Sequence, residues 1–340
     1  MRVALMGVGS LGTIIGALIV KNGGEITLIE ANREHVDALN RRGATVTGEL
    51  ELKTPVSVIT PDRMEGIYDL VFYLVKQTDN NEALQQLLPY LGENSVVCTM
   101  QNGVPEDAVS AVVGRERTLG CSVGWGATWL EPGVSMLTSE PAKMVYYIGE
   151  LDGKITDRVK SAAEILSLSG KAEISTNLMG MRWIKLLVNA TFSGMSAALG
   201  CTYGDVMDDA KAMACVAHIA NETLQVARAL GVTVEPIFGR DLRILEFRTW
   251  MEMESRLPII EEVLAPYRLL KASMLQDLEK GKKTEIDAIN GVICAYGRKV
   301  NIATPINDQV VEIVRGAEAG VNGYTFSNLD RFVLPELPEE

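Results

Sequence analysis

The chain has 340 residues, 47% of them hydrophobic and 22% charged, with a formal net charge of −12. That is ordinary material for about two domains with real apolar cores. The acidic balance disfavours nucleic acid or an anionic membrane surface as a partner, so an anionic substrate needs a local positive site.

The first thirty residues carry the strongest local signal. Arg2-Val3-Ala4-Leu5-Met6 reads as a short strand. Gly7-Val8-Gly9-Ser10-Leu11-Gly12 reads as a G-x-G-x-x-G turn opening a helix that runs to Val20, and Glu25-Ile26-Thr27-Leu28-Ile29-Glu30 as a second strand. This is a dinucleotide-binding βαβ start, with residues 7–12 as the cofactor loop. Gly7 permits the tight turn, Gly9 lets backbone approach a pyrophosphate, and Gly12 lets helix pack on strand. The free N–H groups of the helix N-terminus then face the phosphates. An apolar run after Arg2 also suits a secretory leader, but glycines at turn spacing and the lack of a cleavage pattern argue against one. Glu30, eighteen residues past Gly12, suits a ribose-binding carboxylate. It would repel the 2′-phosphate of NADP, so NADH is expected over NADPH, with Arg33 placed to offset the repulsion. A solvated strand end is the other reading of Glu30.

Further along, 34–42 reads as a helix and 44–58 as one or two strands with a turn at Gly48. Residues 68–75 form a continuous apolar strand that ends in Lys76-Gln77-Thr78-Asp79. A helix over 81–91 follows, then a strand over 95–100 that ends in Gln101-Asn102-Gly103-Val104. Such runs suit a parallel sheet covered on both faces, and the carboxyl ends of its strands hold ligand contacts. Lys76 and Asn102 are therefore site candidates by position, although loop punctuation explains them too. From 119 to 150, glycines separate short pieces at 121–128, 134–137 and 144–148, which read as antiparallel strands finishing the sheet. A helix over 157–167 and a strand over 172–175 complete this half.

His35 falls at a surface-like helix start and His218 in an Ala-rich helix. Neither has a second His or Cys at ligand spacing, so no metal site is expected. The five cysteines are scattered without a C-x-x-C pair, which points to a reducing, cytoplasmic setting. No apolar run approaches the roughly 20 residues of a membrane span.

Beyond Asn177 the periodicity is helical over 181–199, 209–230, 242–253, 267–280, 285–299 and 307–318, with Gly231, Pro236, Pro258, Pro266, Gly281 and Pro305 as separators. The expected fold is an α/β Rossmann-type dinucleotide-binding domain over 1–175 and an all-α domain over 176–334. A frayed acidic tail over 335–340 follows. In the helical half Lys185, Asn189 and Ser193 recur at four-residue spacing on one face of an apolar helix. That stripe suits a polar cleft, or else a lysine reaching to the surface. Thr284 can cap the next helix with Asp287 three residues on, and Glu285 in its first turn complements the helix dipole. This is sufficient structural reason for Glu285.

The chain resembles the ketopantoate reductase (2-dehydropantoate 2-reductase) family. The match runs through residues 7–12, Val75-Lys76, Gln101-Asn102-Gly103 with Glu106, Gly126-Ala127, Pro132-Gly133, Trp183-Ile184-Lys185 with Asn189, Ser273-Met274-Leu275-Gln276-Asp277, Thr284-Glu285-Ile286-Asp287, Asn290-Gly291 and Pro305. It covers most of residues 1–330 in order, and the block from Ser273 to Asp287 is specific to the family. The resemblance implies hydride transfer from the nicotinamide to the ketone of 2-dehydropantoate, giving pantoate for coenzyme A synthesis. It implies Lys185 as the general acid. A lysine of ordinary pKa, about 10.4, holds its proton at neutral pH. It further implies Glu285 orienting Lys185 or the substrate hydroxyl, and Asn189 and Ser273 holding the substrate. Asn102 would lie between cofactor and substrate, and Lys76 near the nicotinamide ribose.

There are departures from the family pattern. Ser193, a substrate-contact candidate, stands where the family often has a second Asn. Leu270 replaces a polar contact of some members. Ala31 replaces an Arg common in NADP-using members, in agreement with Glu30. Residues 236–268 make the helical half longer, as a lid, a dimer surface, part of a different pocket or a solvated helix pair. A relative that reduces another branched 2-oxo acid, or makes an opine-like product, is the alternative. A homodimer is compatible with the long apolar helices.

Overall fold

A computed structural model describes residues 1–237 and 239–339. Contacts divide the chain into two units, one of Met1–Gln101 and Pro105–Leu178, the other of Asn102–Val104 and Met179–Glu340. A single division near residue 175 does not anticipate the tripeptide that joins the second unit. Its Val104 lies in the apolar core there.

The first unit begins with β1 (Val3–Met6), α1 (Ser10–Lys21), β2 (Thr27–Ile29), α2 (Arg33–Arg42), β3 (Ala44–Gly48), β4 (Leu52–Thr54) and β5 (Val58–Ile59). It continues with β6 (Tyr68–Tyr73), α3 (Asn80–Leu87), β7 (Leu91–Thr99), α4 (Glu106–Val113) and β8 (Thr118–Val123). Then come β9 (Ala127–Glu131), β10 (Val134–Leu137), β11 (Val145–Gly149), α5 (Asp157–Leu166) and β12 (Lys171–Ile174). Eight strands form the main sheet in the order β12-β11-β8-β7-β6-β1-β2-β5, parallel except that β11 runs antiparallel to β8. Successive strand residues feed opposite faces. Val3 and Leu5 join the core under α1 and α5, while Ala4 and Met6 join that under α3 and α4.

The pieces over 121–137 do not all finish this sheet. β9 and β10 join β3 and β4 in a second sheet, in the order β4-β3-β10-β9, with β3 parallel to β10. This second sheet packs on α1. That explains why the helix is apolar nearly all round: Ile14, Ile15 and Ile19 are fully buried, each worth roughly 1.5–3 kcal/mol.

The second unit is helical: α6 (Leu178–Val188), a π turn over Asn189–Ser193, α7 (Gly194–Leu199), α8 (Tyr203–Met207), α9 (Ala210–Ala229), α10 (Trp250–Leu264), α11 (Ser273–Glu279), α12 (Asn290–Val300) and α13 (Pro305–Glu318). Its alanines let α9 serve as the central helix, against α8, α10, α12, α13 and the π turn. Four expectations change here. In place of one helix over 242–253 there is a short 3-10 turn, Leu242–Leu245, and then α10. The helix over 181–199 is interrupted by the π turn. Pro258 lies inside α10 instead of ending a helix. The Thr284 hydroxyl accepts the Ile286 N–H, but only a short turn, Ile286–Ala288, follows. Asp287 closes no capping box and instead pairs with Arg315 at 2.7 Å.

The longer segment over 236–268 is no solvated helix pair. Leu242, Leu245, Phe247, Met253, Ile260, Val263 and Leu264 all enter the core; Phe238 lies outside the described residues. The tail is docked, not frayed: the Trp250 N–H donates to the Pro338 carbonyl at 3.0 Å and Leu337 packs on the core. Glu340 lies outside the described residues. Among the described residues no helix is long and apolar enough to cross a membrane.

Candidate active site

The turn between β1 and α1 is built as a cradle. Gly7 has φ +97°, and a Cβ there would lie 2.6 Å from the backbone of Leu74 and Val75. A Cβ on Gly12 would run into the Gly7 carbonyl, whereas one on Gly9 would meet nothing within 4 Å. Gly7 and Gly12 therefore fix the loop, and Gly9 leaves open space at the N-terminus of α1, where Val8, Ser10 and Leu11 complete the turn. Backbone N–H groups with open space before them fit a pyrophosphate, so the residues present fit a dinucleotide.

A residue that the sequence reading placed at the surface completes this cradle. His35 is 1% exposed. Its Nδ1 accepts the Gly133 N–H at 2.9 Å, so the proton sits on Nε2, which donates to the Val8 carbonyl at 2.8 Å. The Thr13 hydroxyl donates to the same carbonyl at 3.0 Å. His35 thus ties the cofactor loop to the second sheet. Its partners lie 27 and 98 residues away in sequence, beyond the reach of local pattern.

Glu30 is half-buried at the end of β2. Its N–H donates to the Ile59 carbonyl at 3.0 Å, and its Oε1 accepts the Asn32 N–H at 2.9 Å. Arg33 faces Asp62 at 3.6 Å on the surface. Lys76 is exposed just past β6. The loop that carries it is pinned by Gln101, whose Nε2 donates to the Val75 carbonyl at 2.5 Å and to Asn80 Oδ1 at 2.7 Å. Gln101 Oε1 accepts the Thr99 hydroxyl at 3.0 Å, and the Tyr73 hydroxyl donates to Asn80 Oδ1 at 3.1 Å. Burial pushes the Tyr73 phenol upward, so it stays a donor. Gln101 had no assigned role by sequence, although it sits beside Asn102 in the family motif. A surface groove of about 740 Å³ lies by Arg2, Thr27 and Arg63 at the amino ends of β1 and β2. Open α/β sheets place their ligands at the other end.

The second unit holds the remaining candidates. Asn102 is half-buried before Gly103, whose φ is +74°. Lys185 is half-buried near the end of α6, and Asn189, also half-buried, opens the π turn. Ser193 closes that turn and is buried, its hydroxyl 2.7 Å from the Tyr203 hydroxyl. Ser273 is exposed at the start of α11, and α11 packs against the π turn and α7. Glu285 is half-buried ahead of the short turn Ile286–Ala288. The structure thus gathers Lys185, Asn189 and Ser193 on one continuous helical rod with the helix of Ser273 against it. Residues 7–12, Glu30 and Lys76 belong to the other unit. Among the described residues no group of three or more His, Cys, Asp or Glu is placed to hold a metal ion.

Comparison with known proteins adds an independent line. The model of the family described as "Ketopantoate reductase PanE/ApbA" matches residues 3–153, and that of "Ketopantoate reductase PanE/ApbA C terminal" matches residues 177–318. A 2-dehydropantoate 2-reductase of Archaeoglobus fulgidus is 30% identical over 323 residues, covering 94% of this chain and 99% of that protein. A crystal structure of a PanE/ApbA family ketopantoate reductase from Ralstonia eutropha is 26% identical, with TM-score 0.79 over 94% of this chain and 99% of that one. A complex of D-mandelate dehydrogenase with NADH is also 26% identical, with TM-score 0.77 over 95% of this chain and 100% of that one.

Proposed function

The chain belongs to the ketopantoate reductase family, and from that membership we propose that it reduces 2-dehydropantoate to pantoate, with Lys185 as the general acid. The observation that carries the role of Lys185 is its placement. It is a half-buried lysine in the run Trp183–Val188, whose other residues are all apolar, one turn before the π turn that begins at Asn189, at the position of the family motif.

A bound nicotinamide nucleotide supplies the hydride. The chain does the rest. Gly7, Gly9 and Gly12 with the N-terminus of α1 hold the pyrophosphate. Lys76 and Asn102 border the nicotinamide end. Asn189 and Ser273 hold the carboxylate and hydroxyl groups of the 2-oxo acid. Lys185 Nζ donates its proton to the oxygen of the carbonyl being reduced, and its charge stabilises the alkoxide as it forms. Glu285 orients Lys185 or the substrate hydroxyl.

NADH is the preferred nucleotide in this reading. Glu30 offers carboxylate oxygen to the ribose hydroxyls and would repel a 2′-phosphate, and the nearby Arg33 is drawn to Asp62. Similarity to an NADH complex of D-mandelate dehydrogenase points the same way. It also favours a second reading, reduction of another branched 2-oxo acid. Burial of Ser193 against Tyr203 leaves less polar surface for a hydroxyl-bearing substrate, consistent with that reading.

A Lys185→Ala variant tests the central assignment. The expected result is a fall in kcat of about 10²–10⁴ with nucleotide binding retained in a fluorescence titration. Unchanged turnover would remove Lys185 from the reaction.

A further inference from the structure

The helical unit contains a continuous chain of buried polar side chains that none of the roles above uses. Glu222 on α9 is 6% exposed, and Asn290 on α12 and Asn307 on α13 are fully buried. Their hydrogen bonds run in one direction. Asn290 Nδ2 donates to the Ala190 carbonyl at 2.9 Å and to Asn307 Oδ1 at 2.9 Å. Asn307 Nδ2 donates to Glu222 Oε2 at 2.7 Å. The N–H groups of Ile306 and Asn307, at the start of α13, donate to the two Glu222 oxygens at 2.9 and 3.0 Å. This order fixes both amide orientations, because flipping either would face oxygen with oxygen or N–H with N–H.

Three buried polar side chains are costly, and apolar residues of similar volume would cost less. Their arrangement makes sense through what they hold. Ala190 lies inside the π turn, where the Gly194 N–H reaches back to the Asn189 carbonyl. Such wide turns are rare inside α-helices and occur often at functional sites. Here side chains grip the turn at both ends. The Thr191 hydroxyl donates to the Leu187 and Val188 carbonyls at 2.8 and 3.0 Å, and Ser193 meets Tyr203. Asn290 grips its middle. Gly194 makes the room for this: a Cβ there would lie 2.7 Å from Asn290 Oδ1 and 3.0 Å from Nδ2.

We propose that Asn290, backed by Asn307 and Glu222, is a positioning residue that holds the π turn by the Ala190 carbonyl and thereby sets where Asn189 meets the 2-oxo acid. The inference rests on the substrate role given above to Asn189.

The test compares Asn290→Ala, Gly194→Ala, Asn189→Ala and the Asn189→Ala/Asn290→Ala double variant with the wild-type enzyme. The readouts are KM for the 2-oxo acid that the wild type reduces fastest, Kd for NADH, and melting temperature. Asn290→Ala is expected to raise that KM about tenfold while Kd for NADH stays within about twofold. Because Asn290 acts through Asn189, the double variant should match Asn189→Ala alone. Gly194→Ala displaces the same amide while adding a better helix former. It should raise KM in the same sense, and it decides the matter should Asn290→Ala fail to fold. KM at the wild-type value in folded Asn290→Ala or Gly194→Ala, whatever the melting temperature, overturns the inference, as does a double variant in which the two effects multiply. A silent Asn189→Ala sinks the substrate role of Asn189 and this inference together. A silent Asn290→Ala beside an active Asn189→Ala sinks this inference alone.

Discussion

In the proposed reading, cofactor choice turns on one side chain at a strand end, Glu30. Its N–H donates to the Ile59 carbonyl just past β2, and the Asn32 N–H donates to its carboxylate. A charged acceptor for two ribose hydroxyls is worth about 1.5–3 kcal/mol per bond, and the same charge opposes a 2′-phosphate. Replacing Glu30 by Ala should therefore lower the ratio of kcat/KM for NADH over NADPH by about tenfold or more, read from initial rates with each nucleotide. A ratio that does not move would place cofactor choice elsewhere, with Arg33 the next candidate. The strand-end position of Glu30 was legible because its spacing from Gly12 is local. The burial of His35 was not, because a histidine in a polar helix start looks solvated until the turn after β1 brings Val8 to it and the second sheet brings Gly133.

Pairs of helices are joined here by groups that no periodicity reveals. Glu222 on α9 caps the first N–H groups of α13, and burial holds its carboxyl at about 7, above the ordinary 4.5. Asp308 raises it further, while the bonds from Ile306 and Asn307 oppose the shift without cancelling it. Between those two pH values the folded chain binds a proton that the unfolded chain has released. Stability from this group is therefore complete below about 4.5 and declines as pH rises through about 7, by about 3 kcal/mol at most. Urea midpoints measured from pH 5 to 8 should fall more steeply for the wild type than for Glu222→Gln, which cannot ionise. Parallel curves would contradict this. The helices themselves were largely readable, since the apolar stripe survives in α9, α12 and α13. The π turn was hidden because the helical periodicity from Trp183 to Leu199 has no proline to mark it. The polar chain from Ala190 to Glu222 was hidden because its partners are up to 100 residues apart. One clue was available: Glu222 is a charged residue in the middle of an Ala-rich helix.

At the scale of the whole chain, the two units carry different kinds of candidate. The α/β unit holds a backbone cradle with a carboxylate past it, features that recognise a dinucleotide. The helical unit holds a lysine, amides and hydroxyls, groups of the kind the proposed binding and protonation of a 2-oxo acid require. This division was legible from the switch of periodicity near residue 175, as was the family from its motifs. The second sheet was not, because β3 and β10 are neighbours only in space. The packing of residues 236–268 into the core was also not legible, because their charged residues mask the apolar face formed by Leu242, Leu245, Ile260 and Leu264. The most direct test of the account is absorbance of the reduced nicotinamide when purified protein meets 2-dehydropantoate, with NADH and NADPH in parallel. The account predicts rapid oxidation, faster with NADH than with NADPH. Protein that is folded and binds the nucleotide, yet oxidises neither with 2-dehydropantoate nor with any other branched 2-oxo acid, would contradict it.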